Sequence, residues 1–361
     1  MVESASKATS QVGGAAEMLG GTGITLDNVK LASHQLSGPH NDQDASYAAV
    51  VENDILHLEQ EFAVSKFKDG FKKPDLNAEF SLIDQLTYLK QHKARFNKDP
   101  AVDHLNRYTD ILPFNDTRVI LKSRDGMPTV DTYINANFVN SALGNDKKLI
   151  CAQGPKSNTV DHFWRMVSEQ NVTLIVSVCR LEEGGRPKCH KYWPETSSDP
   201  ALNKLLVTPG LSVKMVSARS LGSTLQERTF QVTLDGQTMT TKQLNYVGWP
   251  DHGVPTGASI DDFQLMLNEL IHMILNSDPT AKAIIHCSAG IGRTGTTASL
   301  SSLLINVASQ LNQGIADPKI SVFSTVRRLR EQRFSMVQMP EQYVFIYQFL
   351  QYWLKQKKLI Q

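Results

Sequence analysis

No stretch of about 18 uninterrupted apolar residues, the length a membrane-spanning helix needs, occurs anywhere in the chain. Its first residues, MVESASKATSQVGGAAEMLGG, have neither the basic start nor the apolar run of a secretory signal. Cysteine is sparse: Cys151, Cys179, Cys189 and Cys287 are too few and too scattered for a disulfide scaffold, and no CxxC pair suggests a zinc knuckle. Reduced thiols, no membrane insertion and a cytoplasmic setting, with the nucleus as the other option, are therefore expected. Excess charge is also missing. The 37 lysines and arginines against 36 aspartates and glutamates leave a net charge of +1, so no global field favours nucleic acid, and any anion site has to be local. No cluster of side chains suggests a metal, and no cofactor is expected.

What remains is an ordinary globular composition, 41% hydrophobic and 20% charged over 361 residues, enough for one large domain. Residues 1–48 are rich in Ser, Gly, Ala, Asn and Asp and poor in large apolar side chains, which predicts a disordered tail. Residues 49–76 read as a helical lead-in, with Ile55, Leu56, Leu58, Phe62 and Val64 at helical spacing between Val50 and Phe67. A second helix is expected from Asn77 to Phe96. Beyond residue 105 come short β-rich runs, TRVILKS, TLIVSVCRL, RTFQVTLDG, KQLNYVGW and KAIIHC, bounded by turn signals. Amphipathic helices are expected over 161–170, 259–276, 295–312, 320–333 and 340–357. This alternation predicts an α/β or α+β domain, residues 77–361, with helices covering a sheet. No internal repeat is present, and a monomer is expected.

The stretch KAIIHC runs into SAGIGRTG and then into TTASLSSLLINVA, a strand, loop and helix whose loop amides and helix amino terminus converge on one spot. Such a spot binds an anion. Cys287 lies in the same positive field, which favours thiolate over thiol and makes it a nucleophile. Arg293, six residues on, carries a planar fork able to hold two phosphoryl oxygens. A lone loop cysteine is usually a small core residue; the spacing from His286 through Cys287 to Arg293, Thr294 and Gly295 is far more specific and points to phosphoryl transfer.

HCSAGIGRTG resembles the signature loop of the cysteine-based protein tyrosine phosphatases. Other segments match the tyrosine-specific branch of that family in its own order: NRYTDILPFNDTRVIL, YINANFV, AQGP, FWRMV, EEGGRPKCHKYWP, WPDHGVP and VQMPEQYVFIY. The resemblance covers roughly residues 77 to 357. It implies the catalytic domain of a non-receptor phosphatase, with a highly twisted mixed sheet flanked by helices. It also implies hydrolysis of phosphotyrosine in proteins through a phosphocysteine on Cys287. By resemblance, Ser288, Ala289, Gly290, Ile291 and Gly292 hold the phosphate with Arg293. Asp251, on a loop bracketed by Gly248, Pro250, Gly253 and Pro255, is acid and then base. Gln338 orients the hydrolytic water with help from Gln342. Glu183 aims Arg293, and Lys188 and Trp249 belong to the acid loop's surroundings. Thr294 donates to the sulfur, His286 orients the cysteine backbone, Tyr108 forms an aromatic wall that sets pocket depth, and Asp110 accepts from a substrate peptide's backbone.

The chain departs from the family pattern at several positions. Leu105, Thr109 and Phe114 replace more usual Lys, basic and Tyr residues, which puts peptide preference in doubt rather than catalysis. Gly248 stands where Thr or another small side chain is commoner and is expected to loosen the acid loop, and Ser335 is expected to narrow any accessory pocket. A phosphotyrosine-binding relative without activity would have lost Cys287, Asp251, Arg293 or Gln338, and all four are present. A phosphoinositide phosphatase is disfavoured by Tyr108 and by the absence of lysine from SAGIG.

Overall fold

KAIIH is apolar on both faces, the pattern of a strand covered on both sides, and it is the middle of the fold. In the computed structural model, which describes residues 61–67, 76–87, 95–96, 98–124, 128–142, 144–195, 204–250 and 253–361, nine strands form one mixed sheet. Numbered in chain order, they lie side by side as β2 (Arg118–Ile120), β3 (Tyr133–Val139), β4 (Leu149–Ala152), β12 (Lys282–His286), β5 (Val172–Ser177), β11 (Gln237–Tyr246), β10 (Leu225–Leu234), β9 (Leu211–Ser220) and β8 (Lys204–Thr208). The centre, β4–β12–β5–β11, is parallel, and both flanks are antiparallel. Asp235 and Gly236, both at positive φ (48° and 83°), make the two-residue hairpin between β10 and β11, the turn that an Asp-Gly pair favours.

Alternate residues of the central strands feed two cores. Ala283 and Ile285 join the cluster built with α4 (Ala258–Asn276), α5 (Gly292–Asn312), α6 (Val322–Gln332) and α7 (Pro340–Gln356). Ile284 faces the other way, into the cluster around Phe163 and Trp164 of α3 (Val160–Glu169). Two short helices, α1 (Leu76–Thr87) and α2 (Pro128–Asp131), complete the described set. Within α1, Glu79 accepts from the Tyr343 and Tyr347 hydroxyls at 2.9 and 2.8 Å, which fastens α1 to α7.

Three expectations change. The helix over Val50–Phe67 is not continued through its described end: Phe62–Ala63 form β1, paired with β13 (Lys319–Ile320), and Val64–Phe67 make a 3-10 turn. The backbone is held there by Val64 N donating to Pro318 O at 2.8 Å and by Ser65, whose N and Oγ donate to the Asp317 carboxylate at 2.9 and 2.6 Å. The expected tail and the rest of the lead-in lie outside the described residues. The helix from Asn77 is described only to Thr87, and Arg95 and Phe96 are not helical. Phe96 bridges to Phe114 and packs its ring on Phe114 and Phe334 at 5.3 and 5.0 Å. Finally, α5 is buried almost all round rather than on one face.

Candidate active site

The loop after β12 has every carbonyl from Cys287 to Ile291 within hydrogen-bond reach of a protein nitrogen. Cys287 O faces His286 Nδ1 at 3.3 Å, and Ser288 O accepts from Gly154 N at 2.9 Å. Ala289 O and Gly290 O both accept from Arg333, at 3.0 and 2.8 Å. Ile291 O accepts from Gly295 N and Val337 N at 2.8 and 3.0 Å. In a trans peptide the N–H points opposite to the C=O, and no cis bond occurs among the described residues. Pinning five carbonyls outward therefore turns the amides of residues 288–292 inward, toward the sulfur; Gly290 N donates to Cys287 Sγ at 3.3 Å. The turn itself requires Gly290, which has φ 74° and where a Cβ would come within 2.0 Å of Ala152 O.

Arg333 is the anchor that sequence reasoning missed. Fully buried, it also donates to Asn137 Oδ1 at 2.7 Å and Asn135 Oδ1 at 2.9 Å, which explains two asparagines on the buried strand β3. Burial pulls its pKa down from 12.5 to about 10, so it stays cationic at neutral pH and places a positive charge directly behind the loop. Nothing local in RFSMVQ signals this role.

Arg293 opens α5, and Glu183 holds its fork from the far side. The pair is bidentate, Nη1–Oε1 2.6 Å and Nη2–Oε2 2.8 Å. Burial lowers the Arg293 pKa, but hydrogen bonding and charge pairing with Glu183 outweigh it and the net direction is upward. Glu183 is placed by a tight hairpin, β6 (Glu182–Glu183) and β7 (Arg186–Pro187), turned by Gly184 and Gly185 at φ 55° and 72°. Arg293 Nη2 also donates to Pro250 O at 3.2 Å, tying the clamp to the segment before Asp251.

These residues line one cavity of about 510 Å³. Its wall includes Tyr108, Asp110, Glu183, Lys188, Trp249, Cys287, Ser288, Ala289, Gly292, Arg293, Gln338 and Gln342, so twelve of the expected site residues share one hollow. Gly290, Ile291, Thr294 and His286 are buried and are not part of that wall. Asp251 lies outside the described residues; its neighbours Pro250 and Gly253 both line the cavity. The Tyr108 hydroxyl is 2.9 Å from Ser288 Oγ, which stands the ring against the loop as a side wall. The Thr294 hydroxyl, completely buried, has no hydrogen-bond partner among the described residues, and the expected donation to the sulfur is not made.

Gln342 has a structural duty as well: its Oε1 accepts from Gln338 N and Met339 N at 3.0 and 3.2 Å, capping α7 and shaping the turn that presents Gln338. Val337, next to it, has φ 61°, an outlier for a β-branched residue, held by its N–H to Ile291 O and by Arg330 on its carbonyl at 2.7 Å. At Gly248 a Cβ would lie 2.7 Å from Thr224 Oγ1 and 2.8 Å from the Tyr246 ring, so this glycine lets the base of the acid loop pack closely.

Comparison with known proteins agrees with this geometry. The protein-tyrosine phosphatase family model matches residues 103–352. Chicken receptor-type tyrosine-protein phosphatase eta is 32% identical over 291 residues, 79% of this chain and 19% of that protein. Drosophila tyrosine-protein phosphatase 69D is 37% identical over 253 residues, 68% of this chain and 16% of that protein. The chain thus spans less than a fifth of either relative. Among solved structures, the catalytic domain of human protein tyrosine phosphatase non-receptor type 18 superposes with a TM-score of 0.66 at 32% identity, covering 77% of this chain and 95% of that one. A structure of PTPN18 with HER2 phosphopeptides gives 0.68 at 30% identity, covering 80% and 96%. A cysteine loop with inward amides, an arginine clamp and this mixed sheet define a phosphate-handling domain. The chain belongs to the protein-tyrosine phosphatase family.

Proposed function

We propose that the domain hydrolyses phosphotyrosine in proteins through a phosphocysteine intermediate. The observation that carries this reading is the inward set of loop amides beside the Cys287 sulfur, faced by an Arg293 fork already aligned by Glu183. Together they match the charge of a phosphoryl group in transfer. Cys287 attacks phosphorus and the tyrosyl oxygen leaves with a proton from Asp251. Water oriented by Gln338 and deprotonated by Asp251 then releases phosphate and regenerates the thiolate. Lys188 is assigned to the acid loop and Asp110 to the backbone of a bound peptide.

Tyr108 supports a phenol-length substrate, because its ring stands beside the loop and only a long side chain passes it. The phosphopeptides in the PTPN18 structures support a protein substrate over a small metabolite. We further assign residues 77–361 to the catalytic domain, and a monomer in the cytoplasm or nucleus. The four cysteines are all unpaired, as a thiolate enzyme in a reducing compartment requires. No helix among the described residues is long and apolar enough to cross a membrane.

The test compares phosphotyrosyl peptide, phosphoseryl peptide and phosphoinositide in buffer containing EDTA. Turnover of the phosphotyrosyl peptide with full activity under chelation is expected, since the amides and Arg293 supply the charge stabilisation. Preference for either other substrate, or activity restored only by magnesium, overturns the reading. Tyr108→Ala should keep phosphate binding but narrow the preference for phosphotyrosine over phosphoserine. Unchanged selectivity would make Tyr108 a packing residue only.

A further inference from the structure

Behind the nucleophile, a line of polar side chains runs from the half-buried Arg228 of β10 to the Cys287 carbonyl. Arg228 and Gln243 are cross-strand partners on β10 and β11, and Arg228 Nη1 donates to Gln243 Oε1 at 3.0 Å. The guanidinium is braced over the Trp193 ring, 4.8 Å from its centroid. Gln243 Nε2 donates to the Tyr192 hydroxyl at 2.6 Å; that hydroxyl lies 2.8 Å from His286 Nε2, and His286 Nδ1 faces Cys287 O. Gln243, Tyr192 and His286 are fully buried, so water does not intervene to reset any of these directions.

The two ends of the line fix its polarity. A guanidinium only donates and a carbonyl only accepts. Arg228 therefore assigns the Gln243 amide, oxygen toward itself and nitrogen toward Tyr192. The Tyr192 oxygen accepts that bond, and its own proton goes to the remaining neighbour, His286 Nε2; sending it elsewhere would leave a buried donor unmatched. His286 is then left with its proton on Nδ1, the one form that can donate to Cys287 O. Burial holds the Tyr192 hydroxyl protonated, its pKa raised well above the ordinary value. The Cys179 thiol, which also faces His286, is kept neutral by its hydrogen bond with Cys189 and by burial.

We infer that Gln243, oriented by Arg228, is a positioning residue: it sets the tautomer of His286 and thereby holds the Cys287–Ser288 peptide with its carbonyl outward and the Ser288 amide turned into the phosphate cradle. Its kinetic consequence rests on the phosphatase reading above; its structural consequence does not.

Gln243→Glu tests this with almost no change in shape. The new carboxylate accepts from both Arg228 and the Tyr192 hydroxyl, which reverses the line. Tyr192 must then accept from His286 Nε2–H, and an Nδ1 lone pair is set against Cys287 O. Nitrogen-15 NMR of histidine-labelled protein should show the Nδ1–H form of His286 in the unsubstituted chain and the Nε2–H form in the variant. Tungstate affinity, measured by calorimetry, should fall about tenfold, as expected for losing one buried hydrogen bond and misaiming one amide. Gln243→Met, which neither donates nor accepts, should give both tautomers and an intermediate loss; if Gln243→Glu fails to fold, this variant decides alone. An Nε2–H form in the unsubstituted chain overturns the inference, as does a variant that keeps both tautomer and tungstate affinity. Neither readout needs turnover. An unsubstituted chain that shows the Nδ1–H form but leaves phosphotyrosyl peptide intact refutes the phosphatase reading while supporting this one.

Discussion

Arg333→Met should cost about 10² or more in kcat/KM toward a phosphotyrosyl peptide, although Arg333 lies behind the loop that binds phosphate. Its side chain holds two consecutive carbonyls, Ala289 O and Gly290 O, and through peptide planarity the amides of Gly290 and Ile291. Released, those two peptides are free to rotate, and removing even one fixed donor from an oxyanion site costs about 10²–10³ in rate. Methionine also leaves Asn135 Oδ1 and Asn137 Oδ1 without their present donor. Each unmatched buried acceptor costs about 1–3 kcal/mol, part of it offset by no longer burying a cation. A lower melting temperature with a folded core is therefore expected. Arg333→Lys separates geometry from charge: it restores the positive charge but has no fork to reach both carbonyls, and it should stay close to the Met variant in kcat/KM. Recovery to near the unsubstituted rate with lysine would show that charge alone is what the loop needs.

That residue also marks where the sequence stopped being readable. The strand, loop and helix around Cys287 were legible because each piece has a local cause: an apolar run, glycines at a turn, a helix start. The β10–β11 hairpin has an equally local cause in Asp235 and Gly236, although no hairpin was read there. Glu183 was reached only through family resemblance; in the structure it holds Arg293 by two hydrogen bonds. Arg333, Asn135, Asn137, Tyr192 and Gln243 act by contacts far away in sequence, and none carries a local pattern.

Helix α5 misled the periodicity argument for a physical reason. Its threonines and serines return their hydroxyls to the helix, Thr296 to Gly292 O at 3.1 Å, Thr297 to Arg293 O at 2.9 Å and Ser301 to Ala298 O at 2.9 Å. Self-satisfied in this way, polar residues can be buried on what looks like a solvent face. The second helix was drawn too long because Phe96 reads as one more apolar position on it; the aromatic cluster with Phe114 and Phe334 sets that residue's conformation instead.

Asp251→Ala should separate binding from chemistry. The departing tyrosyl oxygen is a poor leaving group unless protonated as it leaves, and losing a general acid typically costs about 10²–10⁴ in rate. Binding should survive, because the loop amides and Arg293 still hold the phosphate, and Arg293 keeps its bidentate partner Glu183. Deleting a carboxylate near a dianionic ester removes repulsion, so affinity for phosphotyrosyl peptide should hold or rise. The variant should retain phosphotyrosyl proteins from a lysate and release them to vanadate. The pH profile gives an independent reading. In the unsubstituted enzyme kcat should fall as pH rises through the pKa of the acid, since only the protonated carboxyl donates; the variant has no such proton, and its alkaline limb should be absent. Turnover within about threefold of the unsubstituted enzyme, set against the factor of about 10²–10⁴ expected for a lost acid, would remove Asp251 from the mechanism. Survival of the alkaline limb would do the same, and would move the search for the proton donor to the carboxylates of the cavity wall that Arg293 does not hold, Asp110 and Glu341.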